Sequence, residues 1–193
     1  MATVFPFKIN GLEKILALFD QLPKRVQREL YNELKITAAE IRDAAKKAAP
    51  KDEAQLIRSI TSKEVSKTEF DVVAQSLHAG YMEFGTKSSA VIPAGLESIA
   101  AGLKGPGGGT GNPIDALEAW VKRKGVAGRF STKTRRRLGS ATTKDSENRQ
   151  AAFLIWRKIK KRGLRPRSYF YKQVAPAETK LKQRIANIIQ QII

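Results

Sequence analysis

The chain has 193 residues, 41% of them hydrophobic, with 36 Lys and Arg against 18 Asp and Glu, one His and no Cys, for a net charge of +18. The missing cysteines exclude disulfide frameworks, thiolate metal sites and cysteine nucleophiles, and a single histidine excludes the usual multi-histidine metal centres. No stretch approaches the ~18 consecutive apolar residues that cross a bilayer, and the N-terminus lacks a basic region followed by an apolar run, so neither a secretory leader nor a membrane partner is expected.

Gly11 to Leu22 places Leu12, Ile15, Leu16 and Phe19 at helical spacing. Pro23 follows where a second helix begins, the position at which a missing N–H is harmless. Beyond it, Val26, Leu30, Leu34, Ala38, Ile41, Ala45 and Ala48 recur every three or four residues. They predict one long amphipathic helix that runs to about Ala49 and is stopped by Pro50. Residues 55–77 mix β-branched and aromatic residues with Ser, Thr and Lys, and predict a hairpin of 58–66 paired with 69–77 about a turn at Lys67-Thr68-Glu69. Gly80 to Thr86 is a short aromatic segment in which Gly85 is placed to take a positive φ.

The run from Gly105 to Gly111 holds five glycines and a proline and reads as a linker. Pro113 to Lys124 predicts a helix burying Ile114, Leu117, Trp120 and Val121 and ended by Gly125; 126–147 is polar and basic and reads as a loop. Arg149 to Lys161 predicts another helix, with Ala152, Phe153, Ile155, Trp156 and Ile159 as its apolar residues. In the last stretch, Phe170, Val174, Ala177, Leu181, Ile185, Ile188 and Ile192 mark one helical face, with Pro176 expected to start or kink that helix. Helices at both ends with strands between them predict an α+β fold: long N- and C-terminal helices packed on a small antiparallel sheet. The whole chain reads as a single domain, 1–193, carrying a glycine-rich and basic, partly helical insertion at 88–162.

The charge is uneven. Residues 1–121 balance, whereas 122–172 hold 18 basic side chains and two acids, Asp145 and Glu147. Arg129, Lys133, Arg135, Arg136, Arg137, Lys158, Lys160, Lys161 and Arg162 lie in this stretch. It suits a polyanion or an acidic protein face, or serves as a solvated basic surface.

Tests for chemistry are negative. The glycine run lacks the Gly-Lys-Ser/Thr of a phosphate loop, and Thr110 and Asn112 break the dinucleotide pattern. His78 lies near Ser76, Asp71 and Glu69, but the spacing resembles no nucleophile elbow, so it reads as a strand-end histidine. Asp115 and Glu118 form an ordinary pair on one helix turn. No catalytic residue, metal ligand or cofactor is therefore expected. Trp156, Tyr169, Phe170 and Tyr171 are candidates for stacking on bases, although Trp156 and Phe170 also fall on apolar helical faces. No nucleic-acid recognition module is visible.

A resemblance emerges from the order of segments: a long helix ending in Ala48-Ala49-Pro50, then Leu56-Ile57-Arg58-Ser59-Ile60, then Tyr81-Met82-Glu83-Phe84-Gly85-Thr86, and last Arg165-Pro166-Arg167-Ser168-Tyr169-Phe170 opening a helix. This order resembles the neck, or tail-completion, proteins of long-tailed bacteriophages, with their Leu-x-x-Ser-Ile, Tyr-x-Glu-Phe-Gly-Thr and Arg-Pro-x-Pro-Phe patterns. The match covers roughly 11–87 and 163–193. It departs from the pattern at the second proline, which is Ser168 here, with Tyr169 before Phe170.

The resemblance implies a non-enzymatic virion protein, found in the host cytoplasm during assembly, that forms a head-to-tail homo-oligomeric ring of about six or twelve copies. Its partners would be the head-completion and tail proteins, with possible non-specific contact to packaged DNA through the basic stretch. Phe84 is expected to pack beneath the turn, with Glu83 or Thr86 meeting a neighbouring subunit; Tyr81, Gly85, Arg165, Pro166 and Arg167 complete the motif set. The alternatives are a tail-terminator ring and a stand-alone, non-specific nucleic-acid-binding protein.

Overall fold

A computed structural model describes residues 3–4, 14, 17–51, 54–76, 78–102, 112–127 and 144–190. The fold is α+β, and the chain divides into two compact units. The first comprises 1–85, 91–103 and 165–193; the second comprises 86–90 and 104–164, close to the expected insertion at 88–162.

In the first unit, a 3-10 turn at Phe19–Gln21 leads into helix α1, Lys24–Ala48. Pro23 is the N-cap rather than the first helical residue, and the buried Gln27 side chain donates back to the carbonyls of Asp20 and Leu22 at 3.2 and 2.8 Å. At the other end Ala49 turns extended, the conformation a following proline imposes. A single turn of helix, α2 (Gln55–Ser59), precedes the sheet.

Strands β1 (Thr3–Val4), β2 (Ile60–Ser66) and β3 (Glu69–Ala74) form an antiparallel sheet in the order β1-β3-β2. The hairpin is thus shorter than expected at its open end, because Gln55–Ser59 is helical and the third strand ends at Ala74. Its register runs from Ile60 opposite Ala74 to Lys63 opposite Asp71, with an irregularity between Glu64 and Ser66. Ile60, Val72 and Ala74 are buried beneath α1, and at the rim of that face the Tyr31 hydroxyl donates to Glu64 at 2.7 Å while Arg42 donates to the Ser62 hydroxyl at 3.2 Å.

Two short helices follow, α3 (Ala79–Phe84) and α4 (Glu97–Gly102), and the unit closes with the C-terminal helix α7 (Tyr171–Gln190). Helices α1 and α7 run antiparallel. Near one end Val26 and Leu30 pack with Leu181, Ile185 and Phe19; nearer the other, Ala38, Ile41 and Ala45 join Phe170 and Ala177 in the core over the sheet. The period-3.6 stripes predicted for both helices are these contacts. Arg184 bridges the seam, reaching Glu33 at 3.4 Å and Glu40 at 2.6 Å. Pro176 falls inside α7, in its second turn, rather than starting it.

The second unit pairs helix α5 (Pro113–Lys124) with helix α6 (Lys144–Arg162). Helix α5 begins as the sequence indicates: Asn112 caps it by accepting from the Ile114 N–H at 3.0 Å, Pro113 takes the first position, and Gly125 ends it. Helix α6 starts earlier than predicted, so Lys144–Glu147 are helical rather than loop. Val121, Ala127 and Ala152 are its buried centre, with Ile114, Leu117, Trp120 and Ile155 packed around them. Arg149 reaches Asp115 and Glu118 at 3.3 and 3.2 Å, and Lys122 reaches Asp145 at 3.0 Å. Residues 11–13 and 15–16 of the expected helical stretch from Gly11 to Leu22, the glycine run and the loop residues Arg129, Lys133, Arg135, Arg136 and Arg137 lie outside the described residues.

Candidate functional site

The two most specific motifs meet in the first unit. Helix α3 carries Tyr81 to Phe84, and the Arg165–Phe170 segment lies against it as it enters α7. The backbone pairs first: the Arg167 N–H donates to Met82 O at 2.7 Å and the Ser168 N–H to Glu83 O at 3.3 Å. The Glu83 carboxylate then accepts the N–H of Phe170 at 2.8 Å and of Tyr171 at 3.0 Å. These are donors that the start of a helix leaves without intrahelical partners, and the positive end of the helix dipole favours an acid there.

This carboxylate is buried, with Glu83 only 3% exposed. Burial pushes its carboxyl up from the ordinary glutamate value, opposed by the N–H groups of Phe170, Tyr171 and Tyr169. Around it stand Phe84, Tyr169, Phe170 and Tyr171; the Phe84 and Tyr171 rings lie 5.8 Å apart and Phe170 meets Tyr171 edge-on at 5.5 Å. Burial, then the Glu83 charge, pushes the Tyr169 phenol far up and the Tyr171 phenol up to about 12.

Glu83 therefore works inside its own chain. Its carboxylate is buried against the start of α7, so of the two residues expected to meet a neighbouring subunit, Glu83 or Thr86, Glu83 has its carboxylate already engaged. Phe84 is buried as expected. Tyr169 and Phe170 are fully buried, so neither is available to stack on a base. Of the motif residues, Arg165 and Arg167 are exposed and Tyr81 and Pro166 half-buried. Ser168 takes φ +45, a conformation closed to proline, whose ring fixes φ near −65°. The departure from the second-proline pattern has this backbone reason.

The motif's last residue belongs to the second unit. The Thr86 N–H donates to Leu164 O at 2.9 Å, and its hydroxyl accepts the Leu164 N–H at 2.8 Å. The 3-10 turn that follows, Lys87–Ser89, closes the C-terminus of α6: Lys87 Nζ reaches the Lys160 carbonyl, and the Ser88 and Ser89 hydroxyls reach the Arg162 carbonyl at 3.1 and 2.7 Å. Carbonyls that a helix end leaves open are thus satisfied by a strap of three residues, with Thr86 holding Leu164 just beyond the helix. Gly163 makes the close approach possible, since a Cβ there would lie 1.9 Å from Thr86 O. Sequence reasoning passed over Gly163, and only its place directly after a helix ending in Lys160, Lys161 and Arg162 hinted at a C-terminal cap.

On α6, Lys158, Lys160, Lys161 and Arg162 are exposed, as the basic reading requires. Phe153, expected among the apolar residues of this helix, is instead 43% exposed, and its neighbour Leu154 is 50% exposed. The Phe153 and Trp156 rings lie 5.8 Å apart, and Lys160 Nζ sits 4.9 Å from the Trp156 ring centre. His78 is the exposed N-cap of α3. Among the described residues there is no group of three or more potential metal-ligating side chains, and no helix is long and apolar enough to cross a membrane.

No protein-family model matches the chain, and neither does any curated protein or solved structure.

Proposed function

We propose that this chain is a non-enzymatic structural protein of a tailed-bacteriophage virion, part of the neck ring that joins the DNA-filled head to the tail. One observation carries the reading. The Tyr81–Thr86 and Arg165–Phe170 motifs, on which the resemblance rests, bond to each other across 87 residues of sequence through Glu83 and Phe170. Two motifs that matched a family pattern by chance have no reason to be partners in space. The α+β body supports the same reading, with α1 over a small antiparallel sheet and α7 against α1.

In this role the first unit supplies the ring body, and Arg165 and Arg167 are the motif side chains turned outward for a neighbouring subunit. The basic second unit meets the next component of the virion. Assembly takes place in the host cytoplasm, and no cofactor takes part.

The test is to disable the gene in its parent phage and image the lysate by electron microscopy. Separate DNA-filled heads and finished tails are expected. Tubes of uncontrolled length would assign the chain to tail termination instead, and normal infectious particles would overturn a virion role.

A further inference from the structure

The exposed face of α6 mixes aromatic rings and cations in a way that packing does not explain. Phe153 stands at its centre with nearly half of its surface in solvent. At helical spacing, Arg149, held by Asp115 and Glu118, lies one turn before it, Trp156 and Arg157 one turn after it, and Lys160 two turns after it. The Trp156 ring is half-buried, forms a tilted pair with Phe153, and already carries a cation, Lys160, beside its face. From Arg157 to Arg162 the chain holds five Lys and Arg and no acid. The acids nearest along α6, Asp145 and Glu147, sit in its first turn at the opposite end.

We infer that this face of α6 binds single-stranded nucleic acid, with an unpaired base on the Phe153 ring and flanking phosphates on Arg157, Lys160 and Lys161. Two arguments select this partner. From Arg157 to Arg162 the charge is of one sign and dense, which suits a phosphate backbone. An exposed ring flanked by cations offers a stacking platform, and only a strand whose bases are unstacked can use it. A duplex would meet the cations and leave the ring unused. The inference concerns the second unit alone and is independent of the neck reading.

The experiment uses the full chain and a fluorescein-labelled oligo-dT of about 20 nucleotides, with a duplex of equal length alongside, titrated by anisotropy at several salt concentrations. The single strand is expected to bind more tightly than the duplex. Phe153→Ala is expected to weaken single-strand binding on the order of tenfold while leaving the duplex unchanged, and Phe153→Tyr to restore it. Arg157→Gln with Lys161→Gln, both at exposed positions, is expected to weaken both ligands and to flatten the single-strand salt slope by ~0.7 for each phosphate no longer neutralised. Equal affinity for the two ligands would overturn the inference. So would a Phe153→Ala protein that melts like wild type and binds oligo-dT equally well.

Discussion

Replacing Glu83 tests the joint between the two motifs most directly. In Glu83→Ala, the N–H groups of Phe170 and Tyr171 lose their acceptor, and Phe170 is fully buried, so water cannot readily take its place. Each buried donor left unpaired costs ~1–3 kcal/mol, and loss of an acid at a helix N-terminus ~0.3–1 kcal/mol more. Relief of carboxylate burial offsets part of this, leaving a net destabilisation of about 3 kcal/mol. Denaturant unfolding followed by circular dichroism reads the change as a shift in midpoint.

The pH dependence is the sharper test. Because the folded-state value of Glu83 is raised, its contribution to stability is fullest below the ordinary glutamate range and declines as pH rises through the folded value. Glu83→Gln does not titrate, so the stability of wild type minus that of Glu83→Gln should grow as pH falls from about 8 toward about 4.5. A difference that shrinks on acidification would mean that the N–H bonds, not burial, govern this carboxyl, and the account of the site would be wrong.

Other perturbations bear on other parts of the molecule. Gly163→Ala places a Cβ against Thr86 O in a left-handed conformation; it should destabilise the strap at the end of α6 by ~3 kcal/mol or more and speed proteolysis between 86 and 164. Leu181→Ala empties a fully buried site between α1 and α7 and should cost about 2–5 kcal/mol by thermal or denaturant unfolding. The raised phenols of Tyr169 and Tyr171 contribute stability that is intact below the ordinary tyrosine value near 10 and is lost above it. Alkaline unfolding should therefore set in between about 10 and 12, together with the rise in tyrosinate absorbance, and Tyr171→Phe should move it upward. Arg184 is partly exposed, so Arg184→Ala should change stability by no more than ~1 kcal/mol, a small shift in the same unfolding curves.

Much of the fold could be read from the sequence because the deciding signals are local. The stripe from Val26 to Ala45 is set by a 3.6-residue period, and α5 is bracketed by Asn112, Pro113 and Gly125 within its own short span and caps. The site was less legible because its deciding interactions are not local. An acid inside Tyr-Met-Glu-Phe reads as a surface residue until its partners, 87 and 88 positions away, are in place. Asp115 and Glu118 likewise look like an ordinary helical pair, yet Arg149, more than thirty residues on, is what they hold. Nor does any periodicity reveal that Phe153 faces solvent while Tyr169 is sealed, since both occur among cations in the sequence.

Gly85 shows why the motif around it is short and closely specified. Its φ of 74° and ψ of −170° fall in a region essentially closed to residues with a Cβ. On its N-terminal side Phe84 must stay buried while its carbonyl accepts the Val91 N–H at 2.9 Å, and Glu83 must keep its carboxylate on Phe170 and Tyr171. On its C-terminal side Thr86 must present both its N–H and its hydroxyl to Leu164. The first set of bonds belongs to the first unit and the second to the second unit, and Gly85 is the last residue before the chain passes from one to the other. A residue with a Cβ would be strained in this backbone conformation, which glycine adopts freely. The four members of Glu-Phe-Gly-Thr thus have distinct, separable tasks: a carboxylate on buried N–H groups, a buried ring, a turn, and a pair of bonds to Leu164.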